Sequence, residues 1–372
     1  MKKFSRLFSF TILMMVVLVN FNCQQEKPVF EYKHWTVSEP VFTPGPEGTF
    51  DDAAVKDPTI VFYNGKYHLI YTSKAKEETF KNLEYVSKGR SGAGYAAATT
   101  LEGLNSAERY DLCSIVKDVI VAPQVFYFEP HELWYIIAQT PQEGEPNLAP
   151  IYLTNPNIED PYGWSKPEII ETQKTNDDFW IDFWVICDDE KAHLFYTDHK
   201  GSMFRMETPI DEFPHGYADE REETVLADRG ETEIGRWRLH EASHIYYVKK
   251  TGKYLALLEA VYPHPTRPYY WESRNRFMFA MIADKLEGPW FRVEADHEEF
   301  AGDPRYLFNE DGSPSKYGQV SHFELIRSGY NEKMEIDDYN LTLLFQAFDP
   351  TDIPDNYNYD ELPWELAVMK NY

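Results

Sequence analysis

Hydrophobic and polar residues alternate along five stretches of the chain, and each stretch consists of two such runs joined by turn residues. A period of two in runs rich in β-branched and aromatic residues predicts strands, and a short polar connection predicts a hairpin. Asn64-Gly65 is the clearest of these turns, because this pair is favoured in two-residue hairpins. The stretches span residues 56–73, 121–139, 180–198, 240–260 and 321–350, and the last is interrupted by the polar run SGYNEKMEIDDYN, for which an exposed insertion is predicted.

Further apolar runs such as MFRMETP and FMFAMIADKL follow most of the hairpins, so the repeating unit contains about four strands. Units of this kind are typical of propeller blades, whose innermost strands line a central channel. The predicted fold is therefore all-β, a five-bladed β-propeller. When the hairpins are aligned, one register at the start of each first strand is occupied by residues that are 65, 60, 59 and 81 positions apart: Asp57, Ala122, Asp182, Glu241 and His322.

The propeller prediction brings three carboxylates and one imidazole to the same end of the channel. Like charges at close range must share protons or a cation, which is a costly arrangement for a protein that does not use it. The aligned register therefore predicts a catalytic or cation-binding site. The alternative is that Asp57 belongs only to a turn and Asp182 only to an edge strand.

The segment HEASH at residues 240–244 matches the H-E-x-x-H pattern of zinc metalloproteases. Zinc binding by this pattern requires a helix, which places both histidines on one face. The IYYV run that follows favours a strand, in which residues four apart lie about 13 Å from each other. The segment therefore predicts a strand that presents Glu241, with His240 either binding substrate or packing, and it disfavours a peptidase.

Composition limits the types of binding partner and indicates whether the cysteines form a disulfide. A net charge of -26 would repel nucleic acid phosphates, so no nucleic acid partner is expected. An aromatic content of 16% suits both short strands and stacking against sugars. Cys113 and Cys187 could form a disulfide in an exported protein, but two buried free thiols are favoured because Cys187 lies in an apolar run.

The N-terminus predicts export. Three basic residues precede an apolar run over residues 7–19, which is short for a membrane span and typical of an export signal ending at residue 22. No small-residue cleavage site is present, so Cys23 is predicted to become a lipidated N-terminus, followed by a tether over 23–34 and the propeller over 35–372. The prediction is a cell-envelope lipoprotein or an extracellular protein, attached to a membrane only through its lipid; an uncleaved anchor is the alternative.

The segments KDPTIVFYNGKYH, APQVFYFEPHELWYIIAQ, FWIDFWVICDD, HEASHIYYV, LEGPW, SHFELIRSG and LPWELAVM follow one another at characteristic spacings. In order and spacing they resemble glycoside hydrolase family 62, from about Trp35 to the C-terminus, and APQVFYF with WIDFWVICDD carries most of the specificity. Members are α-L-arabinofuranosidases that act on arabinoxylan and have a five-bladed propeller. The resemblance therefore implies an arabinose-substituted polysaccharide as the partner of a monomeric enzyme that needs no organic cofactor.

The resemblance also implies roles for the matching residues. It makes Asp57 the general base, Glu241 the general acid, and Asp182 the residue that tunes the acid's pKa and holds the sugar. The implied reaction is inverting hydrolysis, in which one carboxylate activates water and one carboxylic acid protonates the leaving oxygen. Lys56 matches a lysine that contacts arabinose, and His322 matches a ligand of a structural calcium ion held largely by water.

Four further residues are candidates for substrate binding: Gln124, Trp180, His240 and Tyr359. Trp180 could instead belong to the core, and Tyr357 competes with Tyr359 for the matching position. Phe279 and Met281 replace an arginine and a tryptophan of the family pattern, and both changes are expected to border the sugar groove. A family 43 type arabinanase or β-xylosidase, or a non-catalytic carbohydrate-binding lipoprotein, is therefore kept as an alternative.

Overall fold

The computed structural model describes residues 34–141, 148–172, 180–198, 201–217, 222–226, 238–264, 267–293, 302–353 and 358–371. Within these ranges the chain forms five sheets of four or five strands, arranged as the predicted five-bladed β-propeller. The predicted export signal, Cys23 and most of the tether lie outside the described residues.

The first three blades follow one another along the chain after β1 (Trp35–Val37). Blade 1 contains β2 (Ala54–Tyr63), β3 (Lys66–Lys74), β4 (Ser91–Ala98) and β5 (Arg109–Asp111), with the short helices α1 (Glu77–Phe80) and α2 (Leu112–Val116) in its connections. Blade 2 contains β6 (Val121–Phe128), β7 (Leu133–Pro141), β8 (Leu148–Asn155) and β9 (Glu168–Ile169). Blade 3 contains β10 (Ile181–Cys187), β11 (Lys191–Thr197), β12 (Ser202–Pro209) and β13 (Glu222–Leu226).

The last two blades include strands from distant parts of the chain. Blade 4 contains β14 (Arg238–Val248), β15 (Lys253–His264), β16 (Arg267–Ala283) and β17 (Phe291–Arg292), and it gains β20 (Glu335–Ile336). Blade 5 has the order β18 (Leu307–Asn309), β1, β22 (Glu365–Asn371), β21 (Thr342–Ala347) and β19 (Ser321–Leu325). Because β1 pairs antiparallel with β22, the two ends of the propeller chain share one sheet and close the ring.

The inner strands are buried on both faces, since each sheet packs against a neighbouring blade. In β10, every residue after Ile181 is buried, and the Trp184 indole nitrogen donates to the Ile245 carbonyl of blade 4 at 3.0 Å. The alternation of hydrophobic and polar residues thus located the strands correctly. It did not indicate an exposed face, since both faces of the inner strands contribute to the core.

A repeated backbone irregularity marks the start of all five first strands. The pairing register shifts at this point in each innermost hairpin, as in a β-bulge. One residue of each shift has a positive φ, which is uncommon for residues other than glycine. These residues are Asp57, Ala122, Asp182, Ala242 and His322, with φ of 44°, 48°, 58°, 52° and 28°.

The predicted register is therefore wrong by one residue in blade 4. Ala242, and not Glu241, takes the position that Asp57 and Asp182 occupy in their blades. Glu241 is equivalent to Lys56, because each pairs across the hairpin immediately before the bulge, with Glu259 and Thr72 respectively. The side chain of Glu241 nevertheless reaches the same site.

Hydrogen bonds between blades fix these bulges. Four of the five backbone N–H groups donate to a side chain on the second strand of the preceding blade: Ala122 to Thr72 at 2.8 Å, Asp182 to Gln139 at 3.1 Å, His322 to Glu259 at 2.7 Å and Asp57 to Gln346 at 2.6 Å. At the remaining junction, the Ala242 N–H donates to the Asp182 carboxylate at 3.2 Å. Asp182 thereby fixes the backbone beside Glu241.

The polar run at residues 328–340 is not the exposed insertion that its composition predicts. It crosses the ends of blades 2, 3 and 4 that lie opposite the bulges, and its carbonyls at Tyr330, Glu332 and Met334 accept backbone N–H donors from these three blades. Met334 is completely buried. Main-chain hydrogen bonding, which composition does not reveal, decides this outcome.

Both cysteines of the propeller are buried free thiols, as predicted. Within the described ranges, no helix has the length and apolar character needed to cross a membrane.

Candidate active site

The His322 imidazole lies between two of the predicted catalytic carboxylates. Its Nδ1 atom is 3.3 Å from Asp57 Oδ1, and its Nε2 atom is 3.7 Å from Asp182 Oδ2. All three residues hold bulge positions and are nearly buried. Blades 1, 3 and 5 therefore bring these side chains to one end of the channel.

Glu241 joins this group from blade 4. Ligand atoms of Asp182, Glu241 and His322 all lie within 4.8 Å of one another. The Arg276 guanidinium donates to Glu241 Oε1, and His240 Nε2 lies 3.7 Å from Glu241 Oε2. The three predicted catalytic carboxylates therefore come from three blades. The predicted base, Asp57, and the predicted acid, Glu241, lie beside different cationic side chains.

Asp57 is held in its ionised form. Burial opposes ionisation, but the charges of Lys56 and His322 and a hydrogen bond from Thr72 outweigh burial, so the pKa of Asp57 lies below its ordinary value. Lys56 Nζ is 3.7 Å from Asp57 Oδ1. A buried carboxylate of this kind is suited to accept a proton from water.

The same carboxylates act on the imidazole. Burial opposes protonation of His322, but Asp57 and Asp182, supported by Glu241 and Glu259, outweigh it and raise the pKa of the imidazole. His322 therefore carries a proton over a wider pH range than an exposed histidine does.

Tyr359 covers the cationic side of the site. Its ring centroid lies 5.4 Å from Lys56 Nζ, 5.6 Å from Lys74 Nζ and 5.9 Å from Arg276 Cζ. Tyr359 is 37% exposed, so the residue lies near these cations while part of it reaches solvent. Tyr359 thus lies at the site, and Tyr357 lies outside the described residues.

The sequence profile described as "Glycosyl hydrolase family 62" matches residues 34–370. The chain belongs to this family. Alpha-L-arabinofuranosidase C of Cellvibrio japonicus (strain Ueda107) is 30% identical over 353 residues, which are 94% of this chain and 48% of that protein. The chain thus spans about half the length of this relative.

Solved structures of the family have the same fold. The catalytic domain of the Coprinopsis cinerea family 62 α-L-arabinofuranosidase superposes with a TM-score of 0.74 and 26% identity, covering 91% of this chain and 97% of that chain. A family 62 hydrolase solved in complex with xylotriose superposes with a TM-score of 0.72 and 27% identity, covering 91% and 97% of the two chains.

Two of the predicted substrate-binding residues of this family 62 propeller are committed to other contacts. Gln124 is buried, and its amide donates to the Val185 carbonyl and accepts from the Val185 N–H, each at 2.7 Å. Trp180 donates to the Leu148 carbonyl at 2.7 Å and is 7% exposed. Through these contacts, both side chains link blade 2 to blade 3.

His240 and His244 lie on a strand, as predicted, and not on a helix. The His244 ring stacks on Trp184 with centroids 4.2 Å apart, and burial holds the pKa of His244 well below its ordinary value. His240 stays beside Glu241. The two imidazoles thus have separate environments, and the peptidase hypothesis lacks the helix that it requires.

The two departures from the family pattern lie in the apolar interior of blade 4. Phe279 and Met281 are 2% and 4% exposed and belong to the main hydrophobic core. Core packing therefore accounts for both side chains, and their position beside the sugar groove stays a prediction.

Arg276 and Glu259 contact the site residues but were not predicted from the sequence. Arg276 Nη1 also donates to Glu259 Oε1 at 2.6 Å and to Ser321 Oγ at 3.3 Å. Glu259 stands alone among apolar residues in the run LALLEAV, and a buried carboxylate requires a partner. That isolated charge was an available signal. The identity of its partner was not, because Arg276 comes from a different strand.

Proposed function

We propose that this family 62 protein is an α-L-arabinofuranosidase that removes arabinofuranosyl side groups from an arabinoxylan-type polysaccharide with inversion. The observation that carries the proposal is the convergence of Asp57, Asp182 and Glu241, each from a different blade, around His322. Three carboxylates in one site repel one another, and this arrangement is unfavourable unless the protein uses their charges.

Asp57 is the proposed general base. Its depressed pKa, caused by Lys56 and His322 against the effect of burial, keeps the carboxylate able to accept a proton. In inverting hydrolysis this group removes a proton from the water that attacks the anomeric carbon. The bond from that carbon to the leaving oxygen breaks on the opposite face of the sugar.

Glu241 is the proposed general acid, which delivers a proton to the leaving oxygen of the polysaccharide. Asp182 supports this role because it accepts from the Ala242 N–H at 3.2 Å and because its carboxylate lies within 4.8 Å of that of Glu241. The Asp182 charge favours the protonated form of the neighbouring carboxyl group, and it opposes the Arg276 guanidinium, which favours the ionised form. Lys56 and Tyr359 border the same space and are proposed to contact the arabinose.

The names of similar proteins support the choice of substrate. The relative from Cellvibrio japonicus is an α-L-arabinofuranosidase, and one family 62 structure was solved with xylotriose, a fragment of a xylan backbone. A neutral, arabinose-substituted xylan also avoids the repulsion that a chain of net charge -26 would exert on an acidic polymer.

Wheat arabinoxylan provides the direct test. Anomeric proton NMR during hydrolysis is expected to detect β-L-arabinofuranose first, since inversion at an α linkage gives the β anomer. Initial release of the α anomer would contradict the stereochemistry. Absence of arabinose would contradict the activity, and release only from linear arabinan, or of xylose, would favour the family 43 type alternative.

We further propose that calcium binds beside His322. The carboxylate oxygens fit calcium, because this ion prefers oxygen ligands. The His322 imidazole can bind calcium only in its neutral form, whereas the surrounding carboxylates favour the protonated form. Asp182 and His322 would hold the ion, with water supplying most ligands. A bound calcium would contribute a fixed positive charge among the carboxylates.

Calcium binding is expected to raise the melting temperature of the chelator-treated protein. Calcium at 100 times its Kd would stabilise the fold by about 2.7 kcal/mol, and elemental analysis should find about one ion per chain. Magnesium is the control, since it requires a tighter octahedral shell. An unchanged melting temperature together with no bound calcium would contradict the proposal.

A further inference from the structure

We propose that Arg276, held in place by Glu259, positions the carboxyl group of Glu241 for proton transfer. The inference rests on the proposed function, in which Glu241 is the acid. Arg276 acts here as a positioning residue, because it reaches the reaction through Glu241.

Strand pairing brings Glu241 and Glu259 together. Glu241 and Glu259 stand directly opposite each other on β14 and β15, and both are buried, with 8% and 0% exposure. Like charges in directly opposed positions destabilise a sheet. Arg276, from β16, inserts a cation that donates to Oε1 of both glutamates.

Glu259 uses both of its carboxylate oxygens to hold neighbouring groups in place. Its Oε2 atom accepts from Ser321 Oγ at 3.0 Å and from the His322 N–H at 2.7 Å, while its Oε1 atom accepts from Arg276. The Arg276 carbonyl also accepts from the Val320 N–H at 3.0 Å. Blade 5 therefore fixes both the backbone and the guanidinium of Arg276.

A general acid must be held close to the atom that it protonates. Its proton must lie within hydrogen-bonding distance of the leaving oxygen, and a misplacement of about 1 Å can cost roughly 100-fold in rate. Arg276 holds Oε1 of Glu241 and so restricts rotation of the carboxyl group. Tyr359 lies beside both Arg276 and Lys56, which links the acid side of the site to the base side.

The test compares two substrates that differ in their need for an acid. Arabinoxylan has a poor leaving group, whereas 4-nitrophenyl α-L-arabinofuranoside releases a phenolate that needs little protonation. Arg276→Met is expected to lower kcat on arabinoxylan by roughly 100-fold with KM within about threefold, and to lower kcat on the aryl substrate less than about fivefold. A loss of general stability would not distinguish the two substrates.

Arg305→Met is the matched control, because Arg305 pairs with Asp303 and its side chain is 59% exposed. Both activities of this variant should stay within about twofold of wild type, because Arg305 pairs with a residue outside the proposed catalytic machinery. Equal losses on the two substrates in Arg276→Met, or no loss on either, would overturn the inference.

Glu259→Gln is the second variant in case Arg276→Met does not fold. It keeps the volume and the acceptor oxygen while removing the charge that holds Arg276, so a selective loss of roughly 10-fold on arabinoxylan is expected. A folded Glu259→Gln with equal losses or none would also overturn the inference. Wild-type protein that is inactive on both arabinofuranosides would instead contradict the proposed function.

Discussion

Glu241→Gln is expected to lower kcat on arabinoxylan by roughly 100- to 10,000-fold, the range that general acid catalysis contributes. The amide keeps the size of the side chain and can still accept from Arg276, but it has no acidic proton to give. Binding of the polysaccharide should persist, because the groups that hold the arabinose are unchanged. Steady-state kinetics on arabinoxylan and isothermal titration with an arabinoxylan oligosaccharide would measure both effects.

Two comparisons make this result specific to the acid. Activity of Glu241→Gln on 4-nitrophenyl α-L-arabinofuranoside should fall much less, since that leaving group departs without a proton. Glu335→Gln is a matched control on the segment that crosses the opposite end of the channel. Wild-type turnover of arabinoxylan by Glu241→Gln would remove Glu241 from its proposed role.

Asp57→Gly is expected to lose roughly 100- to 10,000-fold in kcat on both substrates, because activation of water is needed whatever the leaving group. Glycine accepts the φ of 44° at this position without strain and leaves space beside the anomeric carbon. Azide, which needs no base, should enter that space and restore turnover. Its product should be β-L-arabinofuranosyl azide, identified by NMR.

The azide experiment separates a catalytic from a structural role for Asp57. Asp57→Asn keeps the volume of the side chain, so azide should rescue it poorly, and asparagine tolerates a positive φ. Asp311→Asn is the surface control, since the Asp311 side chain accepts hydrogen bonds from Ser313 in an exposed turn. An α-configured azide product would contradict the assignment of Asp57 as the base of an inverting enzyme.

The repeated hairpins carried enough information to predict the propeller and to select the three carboxylates of the candidate site. Alternation and turn residues are local properties, so they can be read before the chain is folded. The register of Glu241 was predicted one residue away from its true equivalence, because a β-bulge changes how strands align without leaving a mark in composition. Glu241 reaches the site although Ala242 occupies the bulge.

Partners that depend on contacts between distant strands could not be predicted. Gln124 carries a polar group suited to a substrate, yet its amide is used by the backbone of Val185 in the next blade. Arg276 gave no sign of its contact with Glu241, which is made through the packing of β16 beside β15. Both outcomes depend on which side chains face each other across a sheet or between blades.

The sequence by itself determined the class of fold, the number of blades, the strand character of HEASH and the three carboxylates that meet around His322. These properties follow from periodicity and from charges that recur at blade spacing. Only the tertiary structure decided the closure of the ring by β1, the course of residues 328–340 and the pairing of Glu241 with Arg276. These features are set by hydrogen bonds and ion pairs between segments far apart in the chain, and no local pattern encodes them.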